Sequence, residues 1–188
     1  MAFDLKSILK NTAISSPRVL LYGVEGIGKS MFGASAPNPI FICTEDGLGS
    51  LKVDSFPLAK SSDDVMEAIA TLYSSKHEFR TVVLDSMDWL EAMIAKEIET
   101  KYDAKDLAYG RAAVYAVGRM REILDGLNAL RNDKGMIVIL IAHCQIRRFD
   151  SPEVEPYDRY MPKLQDKANA VVREWADCVL FANYKTVV

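Results

Sequence analysis

The stretch Arg18-Val-Leu-Leu-Tyr22, continuing as Gly23-Val24-Glu25-Gly26-Ile27-Gly28-Lys29-Ser30, decides how this chain is read. Its first part is a short apolar run of the kind that forms a buried strand. Its second part fits G-x-x-x-x-G-K-[ST], and a helical stretch opens at Lys29 and runs to Ser35. Glycines let the backbone curl until several N–H groups converge on a β-phosphate, with the positive end of a helix behind them. Lys29 can set an ammonium between β- and γ-phosphates, and the hard hydroxyl of Ser30 suits Mg²⁺. The segment from Gly23 to Met31 is therefore expected to cradle the phosphates of a nucleotide.

Four further apolar runs lie downstream: Ile40-Phe-Ile-Cys43, Thr81-Val-Val-Leu-Asp85, Met136 to Ala142, and Cys178-Val-Leu-Phe-Ala182. They are near-continuous rather than alternating, as parallel strands covered on both faces should be. Between them Val65, Ile69 and Leu72 share a helical face, as do Leu90, Ile94 and Ile98, and the pattern continues through Val117, Met120, Leu124, Leu127 and Leu130. Asp63 or Ser62 stands where it can cap the first of these helices, and Ser86 the second. Such alternation predicts a single α/β domain over residues 1–188, a parallel sheet with helices on both faces and a lead-in over 1–16.

A chain of 188 residues can bury roughly 70% of its unfolded surface. Its net charge of −3 gives no global attraction to nucleic acid or to an acidic membrane. Charges at Asp4 and Lys6 interrupt the apolar run a secretory signal needs. The longest apolar run, residues 136–142, is far short of the ~20 residues of a membrane helix. A cytoplasmic protein without membrane contact is expected. Cys43, Cys144 and Cys178 show no metal or redox spacing and read as three reduced core thiols.

Asp85 ends a buried strand, so it faces the sheet edge at which the phosphate loop lies. That position suits a Mg²⁺ carboxylate, held directly or through water, alongside Ser30. The Met136–Ala142 strand follows, and its tip can carry a polar group that senses the γ-phosphate; His143 and Gln145 are the candidates. From Gln145 to Gln165 the pattern lapses, with Pro152, Pro156 and Pro162 in the segment, and a functional loop is expected there.

Pro39-Ile-Phe-Ile-Cys-Thr-Glu45-Asp-Gly-Leu resembles the RecA-type pattern, in which the strand after the phosphate loop ends in a catalytic glutamate. With Ser15-Ser-Pro-Arg before the loop, Asp85-Ser86, Tyr109-Gly110 opening a long helix, and Ala142-His143, the layout from Ser16 to Ala182 resembles the phage-encoded RecA-like ATPases, a minimal RecA core associated with single-strand annealing and recombination. The resemblance implies a P-loop NTPase using ATP and Mg²⁺. It implies Glu45 as the base that activates water, Lys29 and Ser30 on phosphate and metal, Asp85 on Mg²⁺, and His143 or Gln145 as sensor. Glu25 matches an acidic residue at the same place in RecA. The resemblance also implies that residues 145–165 are a mobile loop contacting single-stranded DNA. Arg147, Arg148, Arg159 and Lys163 would meet phosphates and Phe149, Tyr157 or Tyr160 would stack on bases. Five acidic residues among five basic ones between Arg147 and Lys167 weaken that electrostatic case. A homo-oligomer is implied too, with Lys163 or Lys167 reaching a neighbouring site. Relatives of this layout continue beyond the last strand, so the C-terminus is expected to be truncated.

Two other classes share the loop. A small-molecule kinase would use Arg147-Arg148 as a lid, but the strand after Asp85 and the acid at Glu45 favour water as acceptor. A nucleotide-dependent assembly module would hydrolyse slowly to time its binding. No Asn-Lys-x-Asp motif reads guanine, which favours ATP.

Overall fold

The computed structural model describes residues 15–49 and 51–185, so most of the lead-in over 1–16 lies outside the described residues, as do residues 186–188. Strand β1 (Arg18–Gly23) passes through the glycine-rich turn into α1 (Lys29–Ala34). There follow β2 (Pro39–Cys43), the short β3 (Asp54–Ser55), α2 (Ser62–Ser74), β4 (Thr81–Asp85) and α3 (Met87–Lys101). The chain continues with α4 (Ala104–Leu107), α5 (Arg111–Lys134), β5 (Ile137–Phe149), β6 (Tyr157–Pro162), α6 (Asp166–Trp175) and β7 (Cys178–Ala182).

The sheet runs β3-β2-β4-β5-β1-β7, every pair in that path parallel, so β5 separates the phosphate-loop strand from the Asp85 strand. Alternate strand residues serve opposite faces. Leu20, Ile42, Val82, Leu84 and Leu140 pack with the apolar faces of α2, α3 and α5 in the main core. Phe41, Cys43, Val83, Ile139 and Ile141 form a smaller core with Ala34 and Ala36 around α1. α1 approaches closely because Gly33 has no side chain; a Cβ there would stand 3.0 Å from a Val83 methyl. Helices thus lie on both faces, unequally. No helix among the described residues is long and apolar enough to cross a membrane.

Several readings need correction. The cap of α2 is Ser61, which accepts from the Asp64 N–H while Asp64 accepts from the Ser61 N–H. Ser62 lies inside the first turn and bonds Glu97 instead. Ser86 does sit at the N-cap of α3 but makes no capping bond with its side chain.

β7 is no buried strand: Val179, Leu180 and Phe181 are exposed because, among the described residues, only β1 pairs with it. Cys178 is accordingly exposed and Cys144 half-buried, which leaves Cys43 as the one buried thiol of the three. Burial, reinforced by Asp85, Glu45 and Asp46, pushes the Cys43 thiol up to about 11, so it stays protonated and unreactive.

Residues 145–165 are not an irregular loop. β5 runs on past the parallel sheet and pairs antiparallel with β6 from Cys144↔Pro162 to Phe149↔Tyr157, leaving a turn over 150–156. The ladder satisfies the backbone of this largely polar segment, whose end reaches the main core at Leu164.

Candidate active site

Strand register assembles the site. Cys43 pairs with Asp85, Asp85 with Ile141, and Gly23 with His143, so the ends of β2, β4, β5 and β1 stand side by side. Glu45, Asp85 and His143 line one cleft of about 410 Å³ together with Gly26, Gly28, Lys29, Ser30 and Met31. This is the carboxyl edge of the sheet, where open α/β folds bind ligands. Gly23, Val24, Glu25 and Ile27 complete the turn without lining the cleft. Gly26 (φ 71°) and Gly28 (φ 95°) take the left-handed conformation that a Cβ disfavours.

Lys29 is buried, and its Nζ donates to the carbonyls of Gly23 (3.1 Å) and Val24 (3.0 Å), which hold the ammonium inside the curl. Ser30 Oγ donates to Asp85 Oδ2 at 2.6 Å, tying the loop to β4. Burial pushes the Asp85 carboxyl above its usual range; the Ser30 bond opposes this and the charge of Glu45 adds to it. Among the described residues no group of three or more His, Cys, Asp and Glu side chains could hold a metal ion. A hydroxyl and one buried carboxylate nevertheless fit Mg²⁺, which keeps several waters and takes the rest of its oxygens from phosphates.

Thr44 was not legible as a site residue. Its Oγ1 donates to Ser86 O (2.7 Å) and accepts from Ser86 N (2.8 Å), while its own N–H reaches Asp85 O (2.8 Å) across a cis Asp85–Ser86 peptide. These bonds bind the tip of β2 to the tip of β4 and so set where Glu45 begins. Thr44→Val would leave buried Ser86 groups unpaired, at a cost of about 1–3 kcal/mol. A lower urea midpoint than wild type checks this.

His143 is held from α3. Its main-chain N–H donates to Asp88 Oδ1 and its Nδ1 meets Asp88 Oδ2, each at 3.0 Å, with Glu45 Oε1 3.9 Å from the same nitrogen. The bond to Asp88 raises the imidazole above its ordinary 6.5, against the effect of burial. Burial pushes Asp88 up, but the two His143 bonds overcome it and hold the carboxyl below 3.8. The raised histidine stabilises the fold below its ordinary value and loses this as pH rises through the folded value. The depressed aspartate stabilises it above 3.8 and loses this as pH falls through the folded value. The urea midpoint difference between wild type and Asp88→Asn should therefore peak between 3.8 and 6.5 and shrink on either side.

Gln145 does not join the cleft. Two residues further along β5 it is in the ladder with β6, and its side-chain amide donates to Pro162 O (3.1 Å) and Leu164 O (3.3 Å). His143 is thus the one sensor candidate at the loop. In the hairpin, Arg147 pairs with Asp166, Arg159 lies 3.6 Å over the Phe149 ring, and Tyr160 stacks on Phe181. Several of the cations and aromatics expected on DNA are already engaged within the chain.

A glycine-rich loop after β1, an acidic strand separated from it by one strand, and a second acid just past the end of the strand beyond define a P-loop nucleotide-binding protein with a RecA-like core. Residues 15–188 match the model of the AAA domain family, and the chain belongs to that family. Among solved structures the fold is similar to that of the RadB recombinase, at 17% identity and a TM-score of 0.53, covering 89% of this chain and 75% of that one. No curated protein matches the sequence.

Proposed function

We propose that this chain binds ATP with Mg²⁺ and hydrolyses it, as a homo-oligomer of the phage or prophage type acting on single-stranded DNA in recombination or annealing. The observation that carries the reading is the convergence of Lys29, Ser30, Asp85 and Glu45 on a single cleft. Lys29 and the loop N–H groups bind and orient the triphosphate, and Ser30 and Asp85 would hold the metal. When bound, Mg²⁺ supplies charge neutralisation at the phosphate oxygens. Glu45, half-buried and beside His143, accepts the proton of the attacking water. A carboxylate in this place, with β5 between β1 and β4, supports water rather than an alcohol as the acceptor. The name of the structurally similar recombinase supports the DNA part of the reading.

The test is ATP turnover with Mg²⁺, with and without single-stranded DNA, against Lys29→Ala as background. Stimulation by DNA is expected. Turnover that DNA does not change would remove the DNA part, and turnover no higher than background would remove the hydrolase.

A further inference from the structure

Asp88 belongs to no part of the phosphate-loop pattern. In sequence it is an acid in the first turn of α3, the ordinary place for a carboxylate that complements a helix dipole. Its contacts are of another kind. Both oxygens are taken by one residue of β5, Oδ1 by the main-chain N–H of His143 and Oδ2 by the ring Nδ1. The side chain is only 7% exposed, and among the described residues it has no lysine or arginine partner. A buried carboxylate whose only ion-pair partner is one histidine acts on that histidine.

Resting on the hydrolase reading above, we propose that Asp88 is a positioning residue for ATP hydrolysis, fixing the tautomer and ring orientation of His143 beside Glu45. The two bonds constrain different things. The main-chain bond sets where the end of β5 lies relative to α3, and the ring bond sets the rotation of the imidazole about that end. With a proton on Nδ1 committed to Asp88, Nε2 is the nitrogen left to face a ligand in the cleft that His143 lines. The same hold keeps the ring 3.9 Å from Glu45, between two carboxylates. If the ring swings away, Glu45 loses the neighbour that stands 3.9 Å from its carboxylate. Asp88 therefore acts on the chemistry through His143 and touches no reacting atom.

A double-mutant cycle with an independent spectroscopic readout tests the assignment. Asp88→Ala should lower kcat roughly 10–100-fold, the range for carboxylates that orient working histidines, with little change in KM for ATP. In a His143→Ala background the same substitution should cost less than about two-fold, because its target is gone. Asp88→Asn should keep the fold yet fail to restore kcat, since its amide NH₂ presents a donor to Nδ1 and selects the other tautomer. The chain has two histidines, His77 and His143, so long-range ¹H–¹⁵N spectra assigned with a His77→Gln variant report the tautomer without any turnover. Wild type should carry the His143 proton on Nδ1, and Asp88→Ala should lose that preference. Equal kcat losses in both backgrounds, or a His143 tautomer indifferent to Asp88, would overturn the proposal. Wild-type turnover no higher than Lys29→Ala would instead remove the hydrolase reading, while the spectra still judged the hold of Asp88 on His143.

Discussion

Glu45→Gln is expected to lower ATP turnover by roughly 10²–10⁴ while leaving nucleotide affinity close to wild type, because it removes a general base and keeps its shape. The carboxylate stands two residues past the end of β2, whose last residue pairs with Asp85, so it overlooks the cleft from the strand next to the metal-type acid. Among the described residues its ion pair is with His143 and not with the loop that grips the phosphates, so binding and chemistry should separate. The amide retains the volume and the hydrogen-bonding reach of the acid but cannot take a proton from water. Titration of a fluorescent ATP analogue should give a nearly unchanged Kd, and single-turnover assays should give the slow step. Turnover equal to wild type would show that some other group activates the water, and a lost Kd would show that Glu45 serves binding instead.

The parts of this site that could be read from sequence are those encoded locally. Gly26 and Gly28 are needed where φ is positive, Lys29 and Ser30 follow at fixed offsets, and the alternation of strands and helices dictates a parallel sheet whose carboxyl edge collects Glu45 and Asp85. Thr44 and Asp88 could not be read, because their partners Ser86 and His143 lie 42 and 55 residues away and a lone Thr or Asp carries no pattern of its own. The α2 cap was ambiguous for another reason. Ser61, Ser62, Asp63 and Asp64 are all capable caps, and only the reciprocal bond between Ser61 and Asp64 chooses among them. The hairpin beyond Cys144 was hidden because a ladder outside the core needs no hydrophobic period. β7 misled in the opposite direction: an apolar run looks the same whether its strand is central or, as here, at an edge.

Lys29→Ala should abolish productive nucleotide binding, and the arrangement of the loop says why the loss is large. Lys29 is 7% exposed and its ammonium reaches two loop carbonyls, so the fold already holds a positive charge inside the turn where phosphates would bring negative charge. Truncating one member of a buried, hydrogen-bonded charge pair costs about 2–5 kcal/mol, which corresponds to roughly 30- to several-thousand-fold in Kd. Lys29 itself lines the open cleft, so water can take the place of the amine there and the fold itself should lose little. Thermal unfolding distinguishes these effects in one experiment. Wild type should gain stability with Mg²⁺ and ATP, about 2.7 kcal/mol at a hundred times Kd. Lys29→Ala should unfold near the wild-type temperature without ligand and, at the same ligand concentration, gain no more than about 0.9 kcal/mol. A variant that still responds to ATP as wild type does would mean that the backbone N–H groups of the turn, and not Lys29, supply most of the affinity.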